Sequence, residues 1–142
     1  VVSILFHSTG TLIYDPKRDG LKSNTDWWII LKIDPNIINY YRWHILKHTG
    51  FILNKPAWGA HISVVKGERP KYTDKWKLLN FKRINFQYSN IIRWSGDTSC
   101  HDVPYKFWFI DAWSNDLVTI RSELGYYNFK NHKFHITVGT LY

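Results

Sequence analysis

One pattern occurs twice in this chain and leaves few folds open to it. Ala60-His61-Ile62-Ser63-Val64-Val65 and Phe134-His135-Ile136-Thr137-Val138-Gly139 each read apolar, His, Ile, hydroxyl, Val. Side chains alternate faces along a β-strand, so in each segment the histidine and the hydroxyl point one way and the Ile and Val the other. Each segment also closes a similar passage. Asp26 to Asp34 is an aromatic and β-branched run ending in Asp, followed by a helical pattern and then the His61 strand. Tyr105 to Asp111 is a comparable run, again followed by a helical pattern and then the His135 strand. Strand, helix, His-strand therefore occurs in two halves, about residues 26–67 and 105–142. At 142 residues the chain is long enough for one well-buried domain and short for two, so a single domain over residues 1–142 is expected.

The elements between these strands follow from local chemistry. Asp34-Pro35 opens a helix, because Asp accepts backbone N–H bonds at the N-cap and Pro at N1 has no donor to lose. Ile37, Ile38, Tyr41 and Ile45 hold helical spacing, and Gly50 is a stop. Ser114 caps a second helix whose Leu117, Ile120 and Leu124 form one apolar face, with Gly125 ending it. Ser3 to Phe6 and Thr11 to Tyr14 read as two extended pieces separated by a turn at Gly10. Lys82 to Tyr88 and Asn90 to Trp94 read as a hairpin turning at Ser89-Asn90.

Two such His-strands side by side would place two imidazoles and two hydroxyls on one surface. That set suits acid and base chemistry on a phosphodiester: one neutral ring takes a proton, the other gives one, and the hydroxyls bond the phosphoryl oxygens. A bare His-x-Ser/Thr pattern is weakly specific, since seven histidines would produce roughly one match by chance. His7-Ser8-Thr9 is such a match, and running into Gly10 it reads as a strand end and turn. The shared context is what raises His61, Ser63, His135 and Thr137 to candidate catalytic residues.

These paired motifs, one per half, resemble the 2H phosphoesterase superfamily, which includes the LigT-like RNA phosphodiesterases. Gly10 to Pro16, Asn24-Thr25-Asp26-Trp27-Trp28 and Trp58 to Glu68 resemble more narrowly the bacteriophage anti-CBASS nucleases. That family degrades the cyclic oligonucleotides with which bacteria signal infection. The resemblance implies an α+β fold, bilobed and mostly antiparallel, with pseudo-two-fold halves and helices packed on the outside. It implies cleavage of 3′-5′ phosphodiester bonds in cyclic di- and trinucleotides. Ser63 stands where Thr is common in the superfamily, and either hydroxyl can donate one hydrogen bond.

The formal charge of +8, with eight Trp, nine Tyr and eight Phe among the Lys and Arg, fits a partner that carries phosphates and stacks on rings. Tyr14 and Trp58 are candidate base-stacking or cleft-wall residues, each with plain packing as the alternative. The narrower resemblance adds Trp94 as a stacker. Lys66 in the basic turn after the first motif could neutralise substrate phosphate, as could Lys133, which shares a face with His135 by parity. His44 and His48 lie four apart on the first helix but have no Glu beside them, and Cys100-His101 is only half of a metal pattern, so no metal and no cofactor is expected.

With no clustered carboxylates for divalent metals, no Cys-His pair placed for thiol attack and no Gly-rich phosphate loop, the substrate must supply its own nucleophile, and a ribose 2′-hydroxyl is one. The alternatives are a 2′,3′-cyclic phosphodiesterase or RNA-end processing enzyme acting on short RNA, and a non-catalytic module that sequesters nucleotides. A single Cys fits a reducing compartment, and no secretory signal or apolar run near 18 residues stands in the sequence. A cytoplasmic protein is therefore expected, in the host bacterium if the chain is phage-encoded, with no membrane association.

Overall fold

The computed structural model describes residues 4–21, 24–95, 106–126 and 133–141. Cys100-His101 and the link before Lys133 lie outside them. Strands β1 (Leu5–Tyr14) and β2 (Trp28–Lys32), helix α1 (Pro35–Thr49) and strand β3 (His61–Lys66) are followed by β4 (Arg83–Trp94), β5 (Lys106–Trp113), α2 (Asn115–Glu123) and β6 (Phe134–Leu141). All strand pairs are antiparallel, and they close into one ring in the order β1-β2-β3-β6-β5-β4. The class is the expected α+β, mostly antiparallel, but the sheet is a closed barrel rather than two separate lobes. Pairing of β1 with β4 joins the two ends.

Both helices form as their caps dictate. The Asp34 side chain accepts from Asn36 N at 2.9 Å, and Gly50 ends α1 in the left-handed region at φ 79°. Ser114 Oγ accepts from Leu117 N at 3.3 Å and itself donates to Asn85 O at 2.7 Å, which ties the start of α2 to β4. The apolar stripes Ile37, Ile38, Tyr41, Ile45 and Leu117, Ile120, Leu124 join Leu12, Ile29, Leu31, Ile62, Ile110 and Ile136 in one buried core. Burying each such aliphatic side chain contributes about 1.5–3 kcal/mol. Both helices pack on the strand face that carries this core, against β6, β4 and β3.

Two expected turns are absent. β1 runs straight through Gly10, so His7-Ser8-Thr9 is mid-strand. A Cβ on Gly10 would come within 2.7 Å of Lys32 O and 2.8 Å of Leu31 Cγ, so this glycine serves a close approach of β2 and not a reversal. β4 likewise runs unbroken from Arg83 to Trp94, with no hairpin at Ser89-Asn90. Its pairing with β5 is interrupted between Tyr88 and Ile92 by a bulge, while residues up to Ser89 pair with β1 on the other side. There Ser89 Oγ accepts from Ile91 N and Asn90 exchanges bonds with Ile4, so turn-favouring residues serve a bulge.

Candidate active site

β3 and β6 are neighbours in the ring, paired at Ile62 opposite Ile136. Antiparallel geometry then sets His61 across from Thr137 and His135 across from Ser63. All four are half-buried, whereas Ile62, Val64, Ile136 and Val138 between and beyond them are buried against the core. The two histidines form a diagonal pair on one face, a relation that in antiparallel sheets spans about 7–8 Å. Hydrogen bonds of about 2.6–3.2 Å from each ring leave room between them for one tetrahedral phosphate. Neither the Ser63 nor the Thr137 hydroxyl has a hydrogen-bond partner among the described residues.

Both strands then bulge at the same place. Ser63 pairs with Ile30 but Val65 with Ile29, which leaves Val64 as the extra residue. Thr137 pairs with Phe109 but Gly139 with Trp108, which leaves Val138 as the extra residue. A one-residue slip exchanges faces. Simple alternation would turn Lys66 away from His61, yet after the bulge it lies on the same side, opposite Trp28.

The surroundings of His61 fix its tautomer. Its Nδ1 lies 2.9 Å from Gly59 O, and a carbonyl can only accept, so Nδ1 carries the proton and Nε2 keeps a lone pair. Gly59, at φ 69°, takes the left-handed conformation open to glycine. Burial pushes the His61 pKa below its ordinary 6.5, the Gly59 bond opposes this in part, and the charge of Lys66 lowers it further. Lys32, directly opposite His61 on β2, adds a second cation on that side.

His135 has different neighbours. Asp111 stands directly opposite on β5, and Arg93 Nη1 lies 3.1 Å from both Asp111 carboxylate oxygens. The Arg93 guanidinium also sits 5.1 Å over Phe109, whose ring meets His135 edge-on at 5.5 Å. Lys133 is exposed and shares with Arg93 and Asp111 the lining of a cavity of about 380 Å³.

The remaining expected binders divide. Tyr14 does not reach this face: it is 5% exposed, packs edge-on against Trp76 at 5.0 Å, and burial raises its hydroxyl to about 12. Trp94 also points the other way, opposite Trp108 with rings 6.4 Å apart on the core side, and it is Arg93 that takes the histidines' face. Both errors have one cause. Which face an aromatic at a strand end takes depends on cross-strand register, and β1 and β4 are each one strand rather than two. Trp58 is half-buried in the loop before β3 with Arg18 4.7 Å over its ring, a loop wall near His61. Lys32, Arg93 and Asp111 were missed. Each sits in a segment read as strand, but their facing partners depend on register across the barrel. His44 and His48 stack at 4.3 Å on α1, away from this surface, and no group of three metal-ligating side chains occurs among the described residues.

Comparison with family models, with curated proteins and with solved structures returns no match. No helix is long and apolar enough to cross a membrane among the described residues.

Proposed function

We propose that this chain is a phosphodiesterase of the 2H type that cleaves 3′-5′ linkages of cyclic oligonucleotide messengers without a metal. The observation that carries the reading is the His61 Nδ1 contact with Gly59 O beside a second histidine on the adjoining strand. It supplies a base with its lone pair presented and an acid within reach of the same phosphate.

His61 Nε2 takes the proton of a ribose 2′-hydroxyl, and the 2′-oxygen bonds to phosphorus. The bond from phosphorus to the 5′-oxygen breaks, and that oxygen receives a proton from His135, which stands opposite Asp111 on β5. The product is a 2′,3′-cyclic phosphate with a free 5′-hydroxyl. Ser63 and Thr137 donate to the non-bridging oxygens, and Lys32 and Lys66 offset their charge. Two features support a duplicated, pseudo-two-fold origin. The ring order is unchanged when β1, β2 and β3 are exchanged with β4, β5 and β6, and Val64 and Val138 bulge at matching positions. The anti-defence role and the choice of cyclic messengers rest on the family resemblance.

The test is chromatography of products from cyclic di- and trinucleotides and from RNA ending in a 2′,3′-cyclic phosphate, all in EDTA. Cleavage of the rings, with His61→Ala and His135→Ala each slower by about 10²- to 10⁴-fold, is expected. Cleavage of the RNA end alone would move the substrate to RNA processing. Tight binding with no turnover would leave a sequestering module.

A further inference from the structure

Trp113 ends β5 on the same face as the histidine pair. Asp111, two residues earlier, faces His135, and strand alternation returns Trp113 to that side. It is 45% exposed, and no aromatic ring or cation stacks on it among the described residues. Across the ring it continues a row: Trp113 opposes Gln87, and Gln87 opposes His7. Asn85, two residues from Gln87, faces Thr9 on the same side. His7, Asn85, Gln87 and Trp113, with Asn115 and Asp116 from the start of α2, line a cavity of about 280 Å³. The cavity of about 380 Å³ that holds Arg93, Asp111 and Lys133 shares Trp113 as a wall.

From this juxtaposition we propose that Trp113, Asn85 and Gln87 form a nucleobase subsite, with Lys133 and Arg93 holding the attached phosphate in the adjoining cavity. The proposal rests on the phosphodiesterase reading only for which substrate the base belongs to. An exposed indole offers a flat apolar face that every base can stack on. Primary amides carry both donors and acceptors and can pair with a base edge, which a merely apolar wall cannot do. Asp111 takes up part of the Arg93 charge, so Lys133 is the main cation for the phosphate. Two of the three stacking residues expected from sequence, Tyr14 and Trp94, face the core, whereas Trp113 lies on the histidines' face.

Equilibrium binding of AMP, GMP and ribose 5-phosphate to the full chain tests the subsite, because the third probe has the phosphate but no base. Both nucleotides should bind more tightly than ribose 5-phosphate. Trp113→Ala should remove roughly 5- to 150-fold of nucleotide affinity, the stacking contribution of one base, and leave ribose 5-phosphate unchanged. Trp113→Phe should keep most of the affinity and, by its melting curve, the fold. Asn85→Ala and Gln87→Ala should change the ratio of AMP to GMP affinity. Equal binding of all three probes, or nucleotide affinity unmoved in Trp113→Ala, would overturn the subsite. His135→Ala separates the two readings, since it should lose turnover and keep base-dependent binding. Base-dependent binding in a wild-type chain that cleaves nothing would retain the subsite and remove the phosphodiesterase.

Discussion

At the scale of single residues, the state of His61 is set by a bond to its own chain. The Gly59 carbonyl sets the tautomer, while burial and the charge of Lys66 lower the pKa of the ring below the ordinary histidine value. The acid limb of the pH–rate profile should therefore lie below pH 6.5. Lys66→Gln removes a charge that lowers this pKa, so the limb should move to higher pH, and a limb unmoved by the change would put the base elsewhere. The same shift affects stability. The unfolded chain binds the proton more readily than the folded one, so the contribution of His61 is present above pH 6.5 and is lost as pH falls below it. Asp15 is a residue of the opposite kind. Its carboxylate accepts from Trp27 N at 2.9 Å and Trp76 Nε1 at 3.1 Å and pairs with Lys77 at 3.1 Å. Asp15→Ala leaves those two donors without a partner in a half-buried site. It should cost about 1–3 kcal/mol in denaturant unfolding with catalysis intact.

Among the elements, α2 is the one whose placement sets the rim beside the candidate subsite. Its cap, Ser114, accepts from Leu117 N and donates to Asn85 O, and its Arg121 reaches across to Val64 O at 2.6 Å, next to the first bulge. Arg121 is buried and its guanidinium lies 5.0 Å over Tyr126, so an arginine that helical spacing leaves looking solvent-facing is a clamp between α2 and β3. Ser114→Ala should lower stability by about 1 kcal/mol, the usual worth of an N-cap, with the added loss of the β4 tie seen as a further fall in melting temperature. Both helices were legible in sequence because their caps and 3.6-residue stripes are local signals. β1 and β4 were each divided at residues that favour turns, Gly10 and Ser89-Asn90. At those points the chain needed a close approach and a bulge in the ladder with β5, which are relations to other strands.

For the molecule as a whole, the charge of +8 is the property that acts at a distance. Anionic substrates should be drawn to the face bearing Lys32, Lys66 and Lys133, and kcat/KM for a cyclic oligonucleotide should fall as salt is raised from 50 to 500 mM, because exposed charges are screened over about 10 Å at 0.1 M. A salt-independent rate would show that these cations do not steer the substrate. The sequence by itself determined that two His-strands, each preceded by a strand and a helix, share one domain, since period-two alternation and helix caps are written in neighbouring residues. Only the tertiary structure decided that the strands close into a ring, that Ile62 meets Ile136, and that Lys66, Arg93 and Trp113 rather than Tyr14 and Trp94 reach the histidines' face. The physical reason is register: a shift of one residue turns a side chain to the opposite side, and register is set by bulges and partners far away in the chain.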